Sequence, residues 1–416
     1  MTLQVMKFGG TSVGSIEKIK RVATRIIKKK KAGHDLIVVV SAMGKMTDQL
    51  VEMAHALSQR PSKREMDMLL ATGEQQTMSL LAMHLIQEKV DAISMTGWQA
   101  GIVTETSHGN ARIETIETFP IKTQLENGKV VIVAGFQGVT EGEAITTLGR
   151  GGSDTSAVAL AAAFKAELCE IYTDVDGVYT TDPRYVSKAR KLSELSYDEM
   201  LEMANLGAGV LHPRSVENAK KYKVPLVVRS SFNEDPGTII KEEPSLEKGQ
   251  AVSGLAFEKE VSKITLLGLP NQLQTLSTVF KVLAEAGVNV DIIIQNAMNE
   301  LTTSISFTIH TSSLSDTLDV LNLNQSTLQF NEINVESDLA KVSIIGSGMV
   351  SNPGVAADMF EVMTRNKVKI KMVSTSEIKV STVIPVDDLH VSLEALHEAF
   401  HLDQPVSELG VTPGPK

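Results

Sequence analysis

Through the first 240 residues the apolar positions follow two rhythms. Short runs without a polar face read as strands buried on both sides, and longer stretches with an apolar residue every third or fourth place read as amphipathic helices. Residues 3–8 form such a run, with Lys7 facing the other way, and it gives out at Gly9-Gly10 and Thr11-Ser12. Ser15 then stands where it can cap a helix whose stripe is Ile16, Ile19, Val22, Ala23, Ile26 and Ile27. A second apolar run at 36–40 closes on Ser41-Ala42-Met43-Gly44. The helical pattern over 63–89 is interrupted at Thr72-Gly73-Glu74, where a mid-helix glycine marks a break or a close approach. Further strands read at 92–95 and 130–133, and the alternation predicts a parallel sheet in an α/β sandwich.

A second glycine-rich helix start follows, TTLGRGGSDTS at 146–156, with Ser153 or Asp154 expected to cap a helix over 157–165. A strand and acidic turn at 171–179 lead to Asp182-Pro183-Arg184, and NLGAGVLHPR at 205–214 and a strand at 225–229 complete the region. KEEPSLEKGQ at 241–250 has no periodicity and reads as a linker. Beyond it the chain repeats itself: KITLLG at 263–268 returns as KVSIIG at 341–346, Phe280 as Phe360 and Val290 as Ile370. The first copy reads strand, helix, strand, strand, helix over 261–268, 274–286, 288–296, 301–310 and 314–322, and closes with a strand near 327–335. That order is the ferredoxin-like split βαβ pattern. The second copy has a Pro- and Gly-rich tail after His401 and lacks a good final strand, so residues 251–257 are expected to lend it one.

At 416 residues the chain has room for two or three domains, and 42% hydrophobic with 22% charged residues is an ordinary globular balance. A formal charge of −10 disfavours a general nucleic-acid or acidic-membrane surface, so cations for an anionic substrate must be concentrated locally. The run Lys28, Lys29, Lys30, Lys31 ends a helix before Gly33, where cations suit the dipole and solvent. The one cysteine, Cys169, excludes an internal disulfide and a cysteine-based metal cluster. With neither an apolar leader nor a membrane-length apolar run, a cytoplasmic location is expected.

Paired glycines at a helix N-terminus beside Lys7 suit a phosphate, because backbone N–H groups approach an anion with no Cβ in the way. The same strand, turn and helix occur in many folds, and neither GxxxxGK[ST] nor GxGxxG is present. Asp154 and Asp174 have an equally plain reading as capping and turn residues. What weighs against that reading is the density of Gly, Arg, Asp and Tyr between 146 and 184.

Taken in order, KFGGTS at 7–12, VVSAMG at 39–44, Gly73-Glu74, TLGRGGSDT at 147–155 and YTDVDGVYTTDPR at 172–184 resemble the motifs of the aspartate kinase family. VSTSEIKVS at 373–381 is similar to the signature of the second of that family's tandem ACT units. The resemblance implies a three-layer α/β/α amino acid kinase (carbamate kinase-like) domain over 1–240 and a linker over 241–250. Two ferredoxin-like ACT domains over 251–337 and 338–404, and a tail over 405–416, would follow. It is to the monofunctional form, not to the fusion with homoserine dehydrogenase.

The implied reaction moves the γ-phosphoryl of ATP to the β-carboxylate of L-aspartate. A carboxylate is already ionised at neutral pH, so alignment and charge neutralisation are needed rather than a base. On the family pattern Lys7, Arg150 and Asp154 would be catalytic, with Lys7, Phe8, Gly9, Gly10 and Ser41 at the phosphates. Thr47, Glu74, Arg150, Gly151, Gly152, Ser153 and Asp154 would hold aspartate. Thr173, Asp174, Tyr179 and Arg184 would form the nucleotide pocket, and Mg2+ would arrive on ATP, held mainly by its phosphates, with no protein metal site. Gly209 stands where many members carry a lysine, so nucleotide binding would lean on Arg184 or another cation.

The ACT resemblance implies inhibition by a pathway amino acid, L-lysine alone or with threonine, and a homo-oligomer of at least two chains. Gln295, Asn352, Gly354, Val355, Ala356, Lys369, Ile370, Ser376 and Glu377 match effector positions. The first copy's turn at 268–274 lacks the aspartate and Pro-Gly often found there, which favours lysine over threonine. A non-catalytic amino-acid sensor, or another small-molecule kinase of this fold acting on acetylglutamate or uridylate, is the alternative.

Overall fold

The computed structural model describes residues 2–207, 209–242, 251–297 and 299–404, in two compact units. The first comprises the chain to Tyr179 together with the stretch from Lys191 onward, and the second comprises Thr180–Arg190 and the chain beyond the linker. Residues 180–190, contiguous in sequence with the first unit, thus group with the repeat. Most of the expected linker and all of the 405–416 tail lie outside the described residues.

In the first unit eight strands make one sheet in the order 194–196, 238–241, 226–230, 168–173, 3–8, 35–40, 130–134, 92–95. All neighbours are parallel except 226–230 with 238–241. Leu3–Phe8 lies centrally, between Asp35–Val40 and Leu168–Thr173. Its inward residues Met6 and Phe8 pack with Val38, Val40, Ile132 and the buried stripe Ile19, Val22, Ala23 and Ile26 of the helix Ile16–Lys31. Ser15 caps that helix by accepting the Lys18 N–H at 3.3 Å. In its last turn Lys28, Lys29 and Lys30 pair with Glu234, Glu170 and Asp35, a structural use for the basic run.

Two helix expectations are corrected. Lys63–Gln87 runs unbroken through Gly73, and the glycine marks a close approach, since a Cβ there would stand 2.8 Å from the Ala42 Cβ. The second glycine-rich helix is Gly152–Ala163, capped by Gly151 at φ +67°, so neither Ser153 nor Asp154 is its cap. Both fall in the first turn, which leaves the Asp154 carboxylate free to point away from its own backbone.

The second unit holds both repeat copies in one six-stranded sheet, in the order 293–297, 302–310, 254–270, 332–345, 379–385, 372–375. Two of its strands, Gly254–Pro270 and Glu332–Ile345, run through both copies. Residues 254–258 pair antiparallel with 341–345 of the second copy, and residues 263–267 pair with 332–336 of the first. The first copy's closing strand therefore begins at Glu332, after a turn of helix at Gln325–Leu328 where a strand was expected. Each copy has its own core, one built on Ile264, Leu266, Val279 and Phe307 and the other on Val342, Ile344, Met359 and Leu393. Val186, from the 180–190 segment, is buried in the second.

Candidate active site

Because Leu3–Phe8 is flanked by parallel neighbours, its carboxyl end opens with theirs onto one crevice, the usual ligand position in such sheets. Lys7, next to the last residue of that strand, projects to the first turn of Gly152–Ala163 and meets Asp154, Nζ to Oδ1, at 2.5 Å. Both side chains are largely covered, at 10% and 13% exposed. The first glycine turn packs against the Ser41-Ala42-Met43-Gly44 turn: Gly44 N–H donates to the Gly10 carbonyl at 3.0 Å and Ser41 N–H to the Phe8 carbonyl at 3.1 Å. A Cβ on Gly10 would stand 2.9 Å from the Ala42 carbonyl oxygen, so glycine is required there by close approach.

A cleft of about 770 Å3 joins these turns and is lined by Lys7, Gly10, Ser41, Thr47, Glu74, Arg150, Gly151, Gly152, Ser153 and Asp154. Two glycine-rich turns more than a hundred residues apart in sequence thus converge. Glu74 lies at its wall, with Oε1 accepting the Ala42 N–H at 3.1 Å and Oε2 buried without a hydrogen-bond partner among the described residues. Burial pushes its carboxyl up to about 8. Arg150 is exposed and makes no hydrogen bond or ion pair among the described residues, as a side chain awaiting an anionic ligand would.

The Gly9 expectation is corrected. Its N–H donates to the Tyr172 carbonyl at 3.1 Å and is taken up within the protein. Phe8, fully buried and stacked on Tyr172 at 4.8 Å, supports the turn from beneath. Of the nucleotide set, Thr173 ends the strand beside Lys7 and its hydroxyl donates to Asp174 at 3.1 Å. The Tyr179 hydroxyl donates to Asp176 at 3.0 Å. Arg184 belongs to the second unit, where its guanidinium grips Asp182. Gly209 has φ +65°, a backbone conformation that a lysine would strain to adopt.

Sequence reading missed Asp67, His108 and Asn110, which also line the cleft. Asp67 is fully buried, and a signal for it existed: it precedes Glu74 by two helical turns, on the same face. In the second unit Gly354 caps the helix Val355–Arg365 at φ +111°, with Asn352, Val355 and Ala356 beside it. Lys369, Ile370, Ser376 and Glu377 flank the edge strand Met372–Thr375. Gln295 is on the opposite edge of the sheet, with four strands between. One chain alone does not bring it to the others.

An amino acid kinase family model matches residues 2–230, and an ACT domain model matches residues 342–400. A parallel sheet with a lysine-bearing glycine turn, followed by this repeat, is therefore an amino acid kinase catalytic unit with an ACT regulatory unit. The chain belongs to the aspartokinase family. It is 61% identical to an aspartokinase of Bacillus sp. (strain MGA3) over 402 residues, 97% of this chain and 98% of that one. It is also 61% identical to aspartokinase 2 of Bacillus subtilis (strain 168) over 404 residues, 97% and 99% of the two chains. Among solved structures it is similar to E. coli aspartokinase III in complex with aspartate and ADP, at TM-score 0.80 and 27% identity, covering 95% of this chain and 99% of that one. The same E. coli enzyme in complex with lysine and aspartate matches at TM-score 0.77 and 28% identity, covering 96% and 99%.

Proposed function

We propose that this cleft transfers the γ-phosphoryl of ATP to the β-carboxylate of L-aspartate, giving 4-phospho-L-aspartate and ADP, the entry to lysine, threonine and methionine synthesis. The observation that carries the reading is the 2.5 Å Lys7–Asp154 contact in a cleft that also holds Arg150. Lys7 neutralises charge on the moving phosphoryl, Asp154 holds the ammonium in place, and Gly10 N–H and Ser41 steady phosphate oxygens. Arg150 takes the α-carboxylate in a two-point grip, Glu74 takes the substrate ammonium, and Thr47 and Ser153 donate to substrate oxygens. Thr173, Asp174 and Tyr179 border the nucleotide. Among the described residues no three His, Cys, Asp or Glu side chains gather to hold a metal. Mg2+ would arrive on ATP, held mainly by its phosphates and water, and would supply charge neutralisation there. Protein incubated with ATP, Mg2+ and aspartate should yield an acyl phosphate trapped by hydroxylamine. Lys7→Ala should lower kcat by at least about 100-fold with the fold intact; retained turnover would refute the role.

We further propose feedback inhibition by L-lysine at the Asn352–Glu377 edge, completed by Gln295 of a second chain. Support comes from the opposite-edge placement, which puts Gln295 about 24 Å from Met372–Thr375 within one sheet. Titrating lysine and threonine separately and together tests it; strong inhibition by threonine alone would overturn it.

A further inference from the structure

The loop that carries Arg150 is held at its start by Asp67 and Arg214, two side chains to which the reaction assigns no part. On one side Asp67, on the helix Lys63–Gln87, accepts the Thr147 hydroxyl at 2.5 Å and the Gly109 N–H at 3.1 Å, and its Oδ2 lies 2.7 Å from His108 Nδ1. A fully buried carboxylate is costly unless it accepts several hydrogen bonds, and these come from Thr147, in the segment before Arg150, and from His108 and Gly109 in a separate loop. On the other side Arg214, in the first turn of Pro213–Tyr222, donates to the Leu148 carbonyl at 2.9 Å and the Ala111 carbonyl at 2.6 Å.

Beyond these two contacts, which fall on the adjacent residues Thr147 and Leu148, the loop is wedged. Gly149 has φ +74°, and a Cβ there would stand 2.7 Å from Asn110 Oδ1; at Gly151 it would stand 2.2 Å from the His212 Cβ. A carboxylate that takes N–H and O–H groups and a guanidinium that takes carbonyls are complementary. Together they satisfy backbone groups of Gly109, Ala111 and Leu148 and tie the 108–111 loop to the end of the strand Ile145–Thr147. Arg150 alone projects from that fixed loop without a partner among the described residues.

We propose that Asp67 and Arg214 are positioning residues, a clamp that anchors the start of the 147–151 loop at Thr147 and Leu148 and so sets where the Arg150 guanidinium meets the α-carboxylate of the amino-acid substrate. The proposal rests on the reading of Arg150 given above. Steady-state kinetics with aspartate and ATP varied separately test it on Arg150→Ala, Asp67→Asn, Arg214→Lys and the double variant Arg150→Ala with Asp67→Asn, with Tm measured alongside. Displacing the loop by even 1 Å should raise KM for aspartate about tenfold or more in Asp67→Asn and in Arg214→Lys, while KM for ATP stays within about twofold. In the Arg150→Ala background, Asp67→Asn should add less than about twofold, because its effect passes through the missing side chain. Thr147→Val removes one hydroxyl bond to the clamp, should shift KM in the same direction, and replaces Asp67→Asn if that variant does not fold.

Full additivity in the double variant, or equal rises in KM for both substrates, would reduce Asp67 to a general structural role and overturn the clamp. If Arg150→Ala raises KM for aspartate while the clamp variants do not, the clamp alone fails. If Arg150→Ala leaves KM for aspartate unchanged, the assignment of Arg150 fails and the clamp with it.

Discussion

Glu74 carries the most consequential ionisation in the cleft. Its neighbours supply one backbone N–H, and burial holds the free carboxyl up to about 8, well above its ordinary value. At pH 7 it is therefore mostly protonated in the empty cleft, and on the role proposed for Glu74 the arrival of a substrate ammonium would release a proton. Between the ordinary carboxylate range and about 8 the folded chain holds a proton that the unfolded chain has lost, so this group makes stability fall as pH rises through that window. Glu74→Gln should remove the decline. Thermal melts should show the variant gaining Tm relative to the parent at pH 8.5 and not at pH 4, while its KM for aspartate rises. A gain equal at both pH values would show that Glu74 is ionised when empty. The site was readable in sequence where a cation or glycine stood inside a motif, as at Lys7, Gly10 and Arg150. It was unreadable at Asp67 and Arg214, whose partners, side-chain atoms of Thr147 and His108 and backbone atoms of Gly109, Ala111 and Leu148, lie in segments distant in sequence.

The helix Lys63–Gln87 shows why a correct sequence signal led to a wrong boundary. Glycine inside a helix costs roughly 1 kcal/mol relative to alanine, and the pattern was read as a possible break. Contact with the Ser41–Gly44 turn decides otherwise: at 2.8 Å from Ala42 Cβ there is no room for a methyl group. Gly73→Ala should gain that propensity and lose about 1–3 kcal/mol to overpacking, a net destabilisation. It should also raise KM, because the displaced turn carries Ser41. Pairing it with Ala42→Gly restores the space, and urea unfolding of the single and double variants should show recovery. If the single variant is more stable than the parent, the close approach is not limiting. Similarly, Asp154 was read as a possible cap because helix starts drift by a residue or two in sequence, whereas the left-handed Gly151 fixes the start early and frees the carboxylate for Lys7.

For the molecule as a whole, the repeat was legible because its apolar strands recur, and the lent strand was legible because the second copy was one short. What could not be read was continuity, since nothing in the sequence at 258–263 or 336–341 says that a strand carries on from one copy into the other. On the lysine site proposed above, the edge placement of Gln295 would make inhibition depend on chain association. On dilution below the dimer dissociation constant, lysine sensitivity should fall together with the dimer fraction measured by sedimentation; sensitivity that persists in monomers would place the effector within one chain. The two shared strands also bear on heredity. A crossover that exchanged residues 338–404 alone would cut Glu332–Ile345 in mid-strand and leave residues 254–258 facing a foreign partner. The two repeats are therefore expected to be inherited as a block: across lineages, exchange points should fall in the segment before residue 251 and not between the copies.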